Sequence, residues 1–556
     1  MPPMDRRDFL KAAAVIPVAL SGLAGMVPAD AADTGQAFVK RAQPLSEHFD
    51  YVIAGAGHNG LVCAAYLAKA GYRVLVLEGD SVIGGGCKTT EPLLPGFKED
   101  LCSSAHGAIL ANPLIRDHEL DLAQYGYELL YPDVVLHYPF LDGASFTVFR
   151  NDVERTAATI EQVSKKDAQT FRRMAAARAN LSLMTPETAA TTRDGLYLRR
   201  LGEMTGFTAA QAVWESPQMR AAALSGGRFF GPLGSDYGTG KQAFSMLDHL
   251  KGRPIPKGGS GMLSVALGRF IEAHDGVILT RKPIVQLIIE SGACKGVECA
   301  DGTQYRADKG VISSIHVKHL IDMAPRELFG DAVLDGVSLM QPELAMFQFH
   351  FAFTQEPEYP LASGANLASC EASLMEDPAS IFTLAPDDVR GELNIADYPL
   401  QVCHPSVFDK SRVPAGQGLL KIEGCMPYNL KGGPQHWDAI KAQVADAVLT
   451  RYMGYTTNLT KDKLLASYLL SPLDIERMNP SMWRGSAHHF DNRGGNFAPC
   501  RMGIPGLYQT GACTAPGGSI SGLPGRNTAQ AVLQDQGRTL KEVVASNGLG
   551  RRATTA

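Results

Sequence analysis

The sequence predicts an α/β fold: a Rossmann-like domain assembled from N-terminal, central and C-terminal segments, with an inserted α+β domain. Two observations carry this. A complete β-α-β unit occupies residues 50–78, and a strand, glycine-rich loop and helix recur hundreds of residues later, over 505–540. The chain's 556 residues allow two joined domains around a large core. Apolar residues make up 45% and charged residues 20%, with a formal net charge of −5. That balance suits a globular protein and offers no basic footprint for nucleic acid. Ten cysteines lie scattered without a CxxC pair or a Cys/His cluster, so neither a metal site nor a disulfide scaffold is expected.

Each part of the first unit has a physical task. Asp50-Tyr51-Val52-Ile53-Ala54 is a short apolar run of the kind buried in a parallel sheet. It leads into Gly55-Ala56-Gly57-His58-Asn59-Gly60, then a helix over Leu61–Ala70 ended by Gly71, then a second strand Arg73–Leu77 closed by Glu78. Gly55 permits the turn, Gly57 lets backbone approach a pyrophosphate, and Gly60 lets helix and strand pack closely. The helix N-terminus supplies unpaired N–H groups and a positive dipole. Glu78 can accept hydrogen bonds from ribose hydroxyls and would repel a 2′-phosphate. A second cluster, Gly84-Gly85-Gly86, followed by Cys87-Lys88-Thr89, lets more backbone reach the same dinucleotide. An extended FAD needs that, whereas NAD usually does not; a simple surface turn is the alternative.

Near the C-terminus, Gly506–Gly511 reads as a strand ending in glycine. Pro516-Gly517-Gly518 and Ser521–Asn527 form a glycine-rich loop, and Thr528–Leu540 reads as a helix. A helix N-terminus after such a loop can face the pyrimidine edge of a flavin and stabilise negative charge there.

The first thirty residues read as an address. Arg6-Arg7-Asp8-Phe9-Leu10-Lys11 precedes an apolar stretch over Ala12–Val27 and the small-residue pattern Ala29-Asp30-Ala31. This order is that of a secretory signal with a twin-arginine motif, which carries folded proteins and places the mature chain in the periplasm or outside the cell. A retained anchor and a disordered cytoplasmic tail are the alternatives. Pro17, Gly22 and Gly25 interrupt a stretch already shorter than the ~20 residues a span needs. No other segment is long and apolar enough to span a bilayer, though peripheral membrane contact stays open.

Taken together, Gly55–Leu61, Val74–Glu78 and Gly84-Gly85 resemble the phytoene desaturase-like FAD-dependent oxidoreductases, in the branch of pyridine nucleotide-disulfide oxidoreductase domain-containing protein 2. Pro256–Met262, a helix through Ala273, the short strands between Gly276 and Ser313, and Ser471–Arg477 agree with that branch. The likeness runs from about Phe49 to Leu540. It implies that Gly55, Ala56, Gly57, Asn59 and Gly60 take the pyrophosphate and Glu78 the adenosine ribose. It further implies that Gly84 and Gly85 line the flavin side, that Val285 meets the adenine through its backbone, and that Gly511, Gly518 and Gly522 surround the ribityl chain and pyrimidine edge. Two positions depart from the wider superfamily. Gly86 stands where many relatives carry Arg, so Lys88 is expected to supply that charge, and Ala512 stands where many carry an acid. Cys102 replaces a common glycine near the expected flavin ring, either as a packed apolar residue or as a reactive thiol.

The resulting domain plan is a signal peptide at 1–31, a linker at 32–48, an FAD-binding domain from 49–114, 250–317 and 481–545, and a substrate domain from 115–249 and 318–480. The expected activity is that of an exported FAD-dependent dehydrogenase or oxidase, desaturase-like, moving a hydride from an apolar organic substrate to flavin N5, with oxygen or a quinone as acceptor. Candidate bases are His488 and His489, which as neighbours on an extended segment point to opposite faces, and His106. Arg484 and Arg493 are either solvated or partners for an acidic substrate. The competing readings are an FAD-dependent polyene isomerase and a non-catalytic flavin-bearing binding protein.

Overall fold

The computed structural model describes residues 48–227, 234–340, 345–361, 363–486 and 498–546. The expected signal peptide and nearly all of the linker lie outside the described residues, as do His488, His489 and Arg493.

One sheet is built from the three predicted segments. Its parallel part runs in the order Leu507–Gln509, Gln304–Ser313, Phe49–Ala54, Val74–Leu77, Val277–Leu279. Both central strands are apolar throughout because both faces are covered: Tyr51–Ala54 and Val74–Leu77 are entirely buried. An antiparallel hairpin, Ile284–Glu290 with Ala293–Cys299, joins the early half of Gln304–Ser313.

The helix His58–Lys69 covers one face, and Asn59 through Ala68 are all buried. Leu61, Val62 and Leu67 each contribute roughly 1.5–3 kcal/mol by leaving water. Small residues allow two close approaches, of the helix Leu523–Asp535 to this helix at Gly525 and of this helix to the preceding glycine turn at Gly60. A Cβ on Gly525 would fall 2.3 Å from Asn59 O, and one on Gly60 would fall 2.6 Å from Gly55 O. This C-terminal helix starts five residues earlier than the sequence suggested. Pro524 occupies its first turn, where a missing N–H costs nothing, so the proline-glycine run reads as a loop but folds as a helix start. Arg526 on that helix makes paired hydrogen bonds of 2.8 and 2.7 Å to Glu119, which also accepts from the Tyr66 hydroxyl.

The second sheet has the order Leu464–Leu470, Ala345–Phe353, Gly418–Met426, Leu400–Cys403, Glu371–Leu374, Val134–Pro139, Ser145–Phe149. Alternate side chains split its faces. Phe347, Phe349, Phe351, Leu420, Ile422, Leu400 and Val402 pack with Trp437, Val448 and Tyr452 of the helix His436–Met453. The opposite face carries a block of polar residues among its intervening positions. Glu371, Cys403, Lys421 and His350 lie side by side across four strands, and Gln401, Glu423 and Gln348 form the next row. Helices between Val153 and Lys251 form a separate apolar cluster against Val134–Phe149.

Two stretches assigned by sequence to the substrate domain pack elsewhere. Leu120, Leu122 and Tyr127 join the core around the first helix, and Leu320, Phe329, Val337 and Met340 join Val52 and Leu75 beneath the first sheet. Short apolar segments carry no sign of which sheet will cover them. No helix of the described residues is long and apolar enough to cross a membrane.

Candidate functional site

The parallel strands of the first sheet end together, and the crevice at such carboxyl ends is where open α/β sheets bind ligands. Gly55 leaves its strand at φ 95°, a conformation costly for any residue with a Cβ, and Ser314 Oγ donates to Gly55 O at 3.1 Å across the turn. Ala56 N–H donates to Glu78 Oε2 at 2.8 Å, while Asp80 N–H donates to Oε1 at 2.9 Å. The acid at the second strand's end therefore braces the glycine turn and still has lone pairs for hydroxyl donors. Burial pushes the Glu78 carboxyl up, opposed by these two N–H groups and by Lys88.

The paired glycines fold back onto the turn. Gly84 N–H donates to Ala56 O at 2.8 Å, and a Cβ on Gly85 would approach Gly57 Cα at 3.2 Å. A Cβ on Gly57 meets only Ser314 Oγ, at 3.9 Å, so the space above it is open. Gly57, Asn59, Gly85, Gly511 and Gly518 line one common cavity of about 280 Å³. Asn59 Oδ1 is buried beside it without a hydrogen-bond partner among the described residues. Gly511 has φ 95°, and a Cβ there would find no described atom closer than 3.7 Å.

Other expected residues lie around this cavity without lining it. Lys282 N–H donates to Glu78 O at 2.7 Å, which sets the start of the 284–299 hairpin beside this acid. The ladder shifts register between Ile284 and Gln286, leaving the Val285 backbone outside regular pairing. Gly522 caps the helix Leu523–Asp535 at φ 64°. Lys88 does not stand free to replace the superfamily arginine: its ammonium pairs with Asp80 at 2.5 Å. The helix that Gly57 caps still offers its N-terminal N–H groups and dipole to an anion. Gly86 does line the cavity, and a Cβ there would fall 2.5 Å from Met482 Cε, so a side chain at this position requires that flexible methionine tip to shift.

His106 is fully buried and braced at both nitrogens, Nδ1 to Tyr127 OH and Nε2 to Ser260 Oγ, each at 2.8 Å. Burial lowers its pKa to about 3, so it stays neutral, and its neighbours Ala105 and Gly107 line the cavity while it does not. This geometry is that of a structural brace rather than the expected base. Arg484 stacks its guanidinium 4.8 Å from the Trp483 ring centroid, away from the role of an acid-binding arginine.

Cys102 lines the cavity at φ 92°, an uncommon conformation for a residue with a side chain. Burial pushes its thiol up to about 12, so the packed reading fits and the thiolate is scarce at neutral pH. Native-state alkylation with iodoacetamide at about pH 8 is expected to modify Cys500, the one cysteine that is not fully buried, and to spare Cys102. Peptide mass spectrometry before and after denaturation checks this; early labelling of Cys102 would show a reactive thiol.

Sequence reading missed the polar wall. Arg253, Glu371, Gln401, Cys403 and Glu423 complete the cavity's lining. Lys421 lies just behind, donating to Cys102 O at 2.6 Å and pairing with Glu423 at 2.9 Å. A signal was present: Gln348 and His350 alternate with phenylalanines, and Lys421 and Glu423 with Leu420 and Ile422. Charged residues repeating at period two inside apolar strands mark a buried polar face.

Residues 53–117 match the model of an NAD(P)-binding Rossmann-like domain. Over 88% of this chain and 94% of the relative, the sequence is 26% identical to rat (Rattus norvegicus) pyridine nucleotide-disulfide oxidoreductase domain-containing protein 2. It is 25% identical to a limonene dehydrogenase subunit of Castellaniella defragrans, covering 90% of this chain and 98% of that one. All-trans-zeta-carotene desaturase of Myxococcus xanthus is 22% identical, covering 84% and 90%. Over most of its length the chain is similar to FAD-dependent oxidoreductases of desaturase type. Its fold is shared with an oxidoreductase from Methanosarcina mazei (TM-score 0.55, 16% identity, 88% of this chain and 100% of that one) and with putrescine oxidase (TM-score 0.54, 14% identity, 88% and 99%). The site fits the family's cofactor on its own geometry. The open space over Gly57, the bare Gly511 and the unpaired Asn59 Oδ1 form a cradle that side chains would fill.

Proposed function

We propose that this flavoenzyme is an exported dehydrogenase or oxidase of desaturase type, removing hydride from a C–H bond of an organic substrate held in the shared cavity. The observation that carries this is the cavity's double lining. Gly57, Gly85, Gly511 and Gly518 come from the cofactor cradle, and Met346, Gln401 and Glu423 come from the second sheet. A molecule in that space lies between cofactor and substrate domain at once. FAD supplies the hydride acceptor at N5. The chain's residues position the substrate and shield it: Met346, Met482, Ile520 and Ala108 line the cavity with apolar surface that excludes water. Two relatives, one named as a limonene dehydrogenase component and one as a desaturase, support the reaction type, and Arg6-Arg7 with Ala29-Asp30-Ala31 supports export.

Anaerobic mixing of the FAD-loaded protein with candidate substrates is expected to bleach the visible flavin band without added reductant and to yield a product two hydrogens lighter. Admitting air or a quinone then identifies the acceptor by the return of colour. A product of unchanged mass would favour the isomerase reading, and flavin untouched by any substrate would favour a binding protein. Replacing Arg6 and Arg7 by lysines is expected to hold the precursor inside the cell; undiminished export would overturn the twin-arginine route.

A further inference from the structure

The second sheet presents its polar face to the cavity, and the balance of its charges says what can dock there. Arg253 Nε lies 2.6 Å from Glu371 Oε2, with side chains 18% and 3% exposed. Gln401 Nε2 donates to the same oxygen at 3.2 Å. Glu423 Oε2 takes Lys421 at 2.9 Å and Gln348 Nε2 at 2.7 Å. Two cations therefore balance two carboxylates. One carboxylate oxygen and one amide oxygen of the wall are left over: Glu371 Oε1 and Gln348 Oε1 are buried and have no hydrogen-bond partner among the described residues. Leaving such an acceptor without a donor costs free energy that a ligand's donor can recover.

We infer that the substrate is an amphiphile with a neutral hydroxyl group, which docks on Glu371 and Arg253 while its apolar body lies along Met346, Met482 and Ile520. This rests on the reading of the cavity as the substrate chamber, and it narrows the apolar substrate expected from sequence. The hydroxyl is selected for two reasons. It donates to Glu371 Oε1, which an ether or hydrocarbon cannot do, and its oxygen can accept from the guanidinium on the same wall. Its neutrality also preserves the balance of the wall, whereas an ammonium or carboxylate would leave one unit of charge uncompensated at a buried site.

The test uses FAD-loaded protein and four probes of matched chain length: decan-1-ol, its isomer 1-methoxynonane, decanoate and decylamine. Binding is read from perturbation of the flavin band and from thermal shift, neither of which needs turnover. Decan-1-ol is expected to bind about tenfold more tightly than each of the others. In Glu371→Gln the wall carries a net positive charge, and decanoate is expected to gain about tenfold relative to decan-1-ol. The ether binding as well as the alcohol, either ion binding more tightly than the alcohol, or no probe binding at all would overturn the inference. If Glu371→Gln does not fold, the ranking on the unaltered protein decides alone. Alcohol preference in a protein whose flavin no substrate bleaches removes the redox reading only; bleaching without alcohol preference removes this one only.

Discussion

Replacing Gly57 by valine is expected to give folded protein that retains less than about a tenth of its flavin, because a side chain would fill the space the pyrophosphate needs. The glycine's own backbone does not demand glycine. Its φ and ψ are −61° and 153°, ordinary extended values that valine adopts readily, and a Cβ would meet only Ser314 Oγ at 3.9 Å. The loss should therefore be a cofactor loss and not a folding loss. Flavin absorbance per protein measures the first, and circular dichroism the second. Gly60→Val serves as contrast: its Cβ would sit 2.6 Å from Gly55 O, so that variant should lose fold and flavin together. A Gly57→Val protein that purified with full flavin would sink the placement of the cofactor.

Removing the Lys421 ammonium is expected to be the most costly single change in the second sheet. Lys421 is completely buried, pairs with Glu423 and holds the Cys102 carbonyl at 2.6 Å. Lys421→Met strands the Glu423 charge out of water, and breaking a buried pair from one side costs about 3–5 kcal/mol. Denaturant unfolding of the flavin-loaded protein measures this. The double variant Lys421→Met with Glu423→Gln should recover much of the loss, since no isolated charge remains. Strict additivity of the two changes would show that the pair is not coupled.

Periodicity and composition reached far into this protein. The two apolar strands Tyr51–Ala54 and Val74–Leu77 were legible because a parallel strand buried on both faces is apolar without interruption. The turn at Gly55–Gly60 was legible because a tight strand-to-helix turn with close backbone approach restricts residue type at fixed spacing. The helix start at Leu523 was not, since Pro524 and Gly525 read as loop residues until a partner helix makes their smallness useful.

What the sequence determined by itself was the β-α-β unit with its glycine turn, the acid at Glu78 and the second glycine-rich segment near the C-terminus, each set by local contacts and short-range geometry. Tertiary structure alone decided three things: that Lys88 is bound to Asp80, that His106 is a brace, and that Glu371, Gln401 and Glu423 form one wall of the cavity. The physical reason is distance along the chain. A side chain's partner and the wall it joins depend on which remote strands lie beside it, and residues 253, 371, 401 and 423 meet only through sheet register.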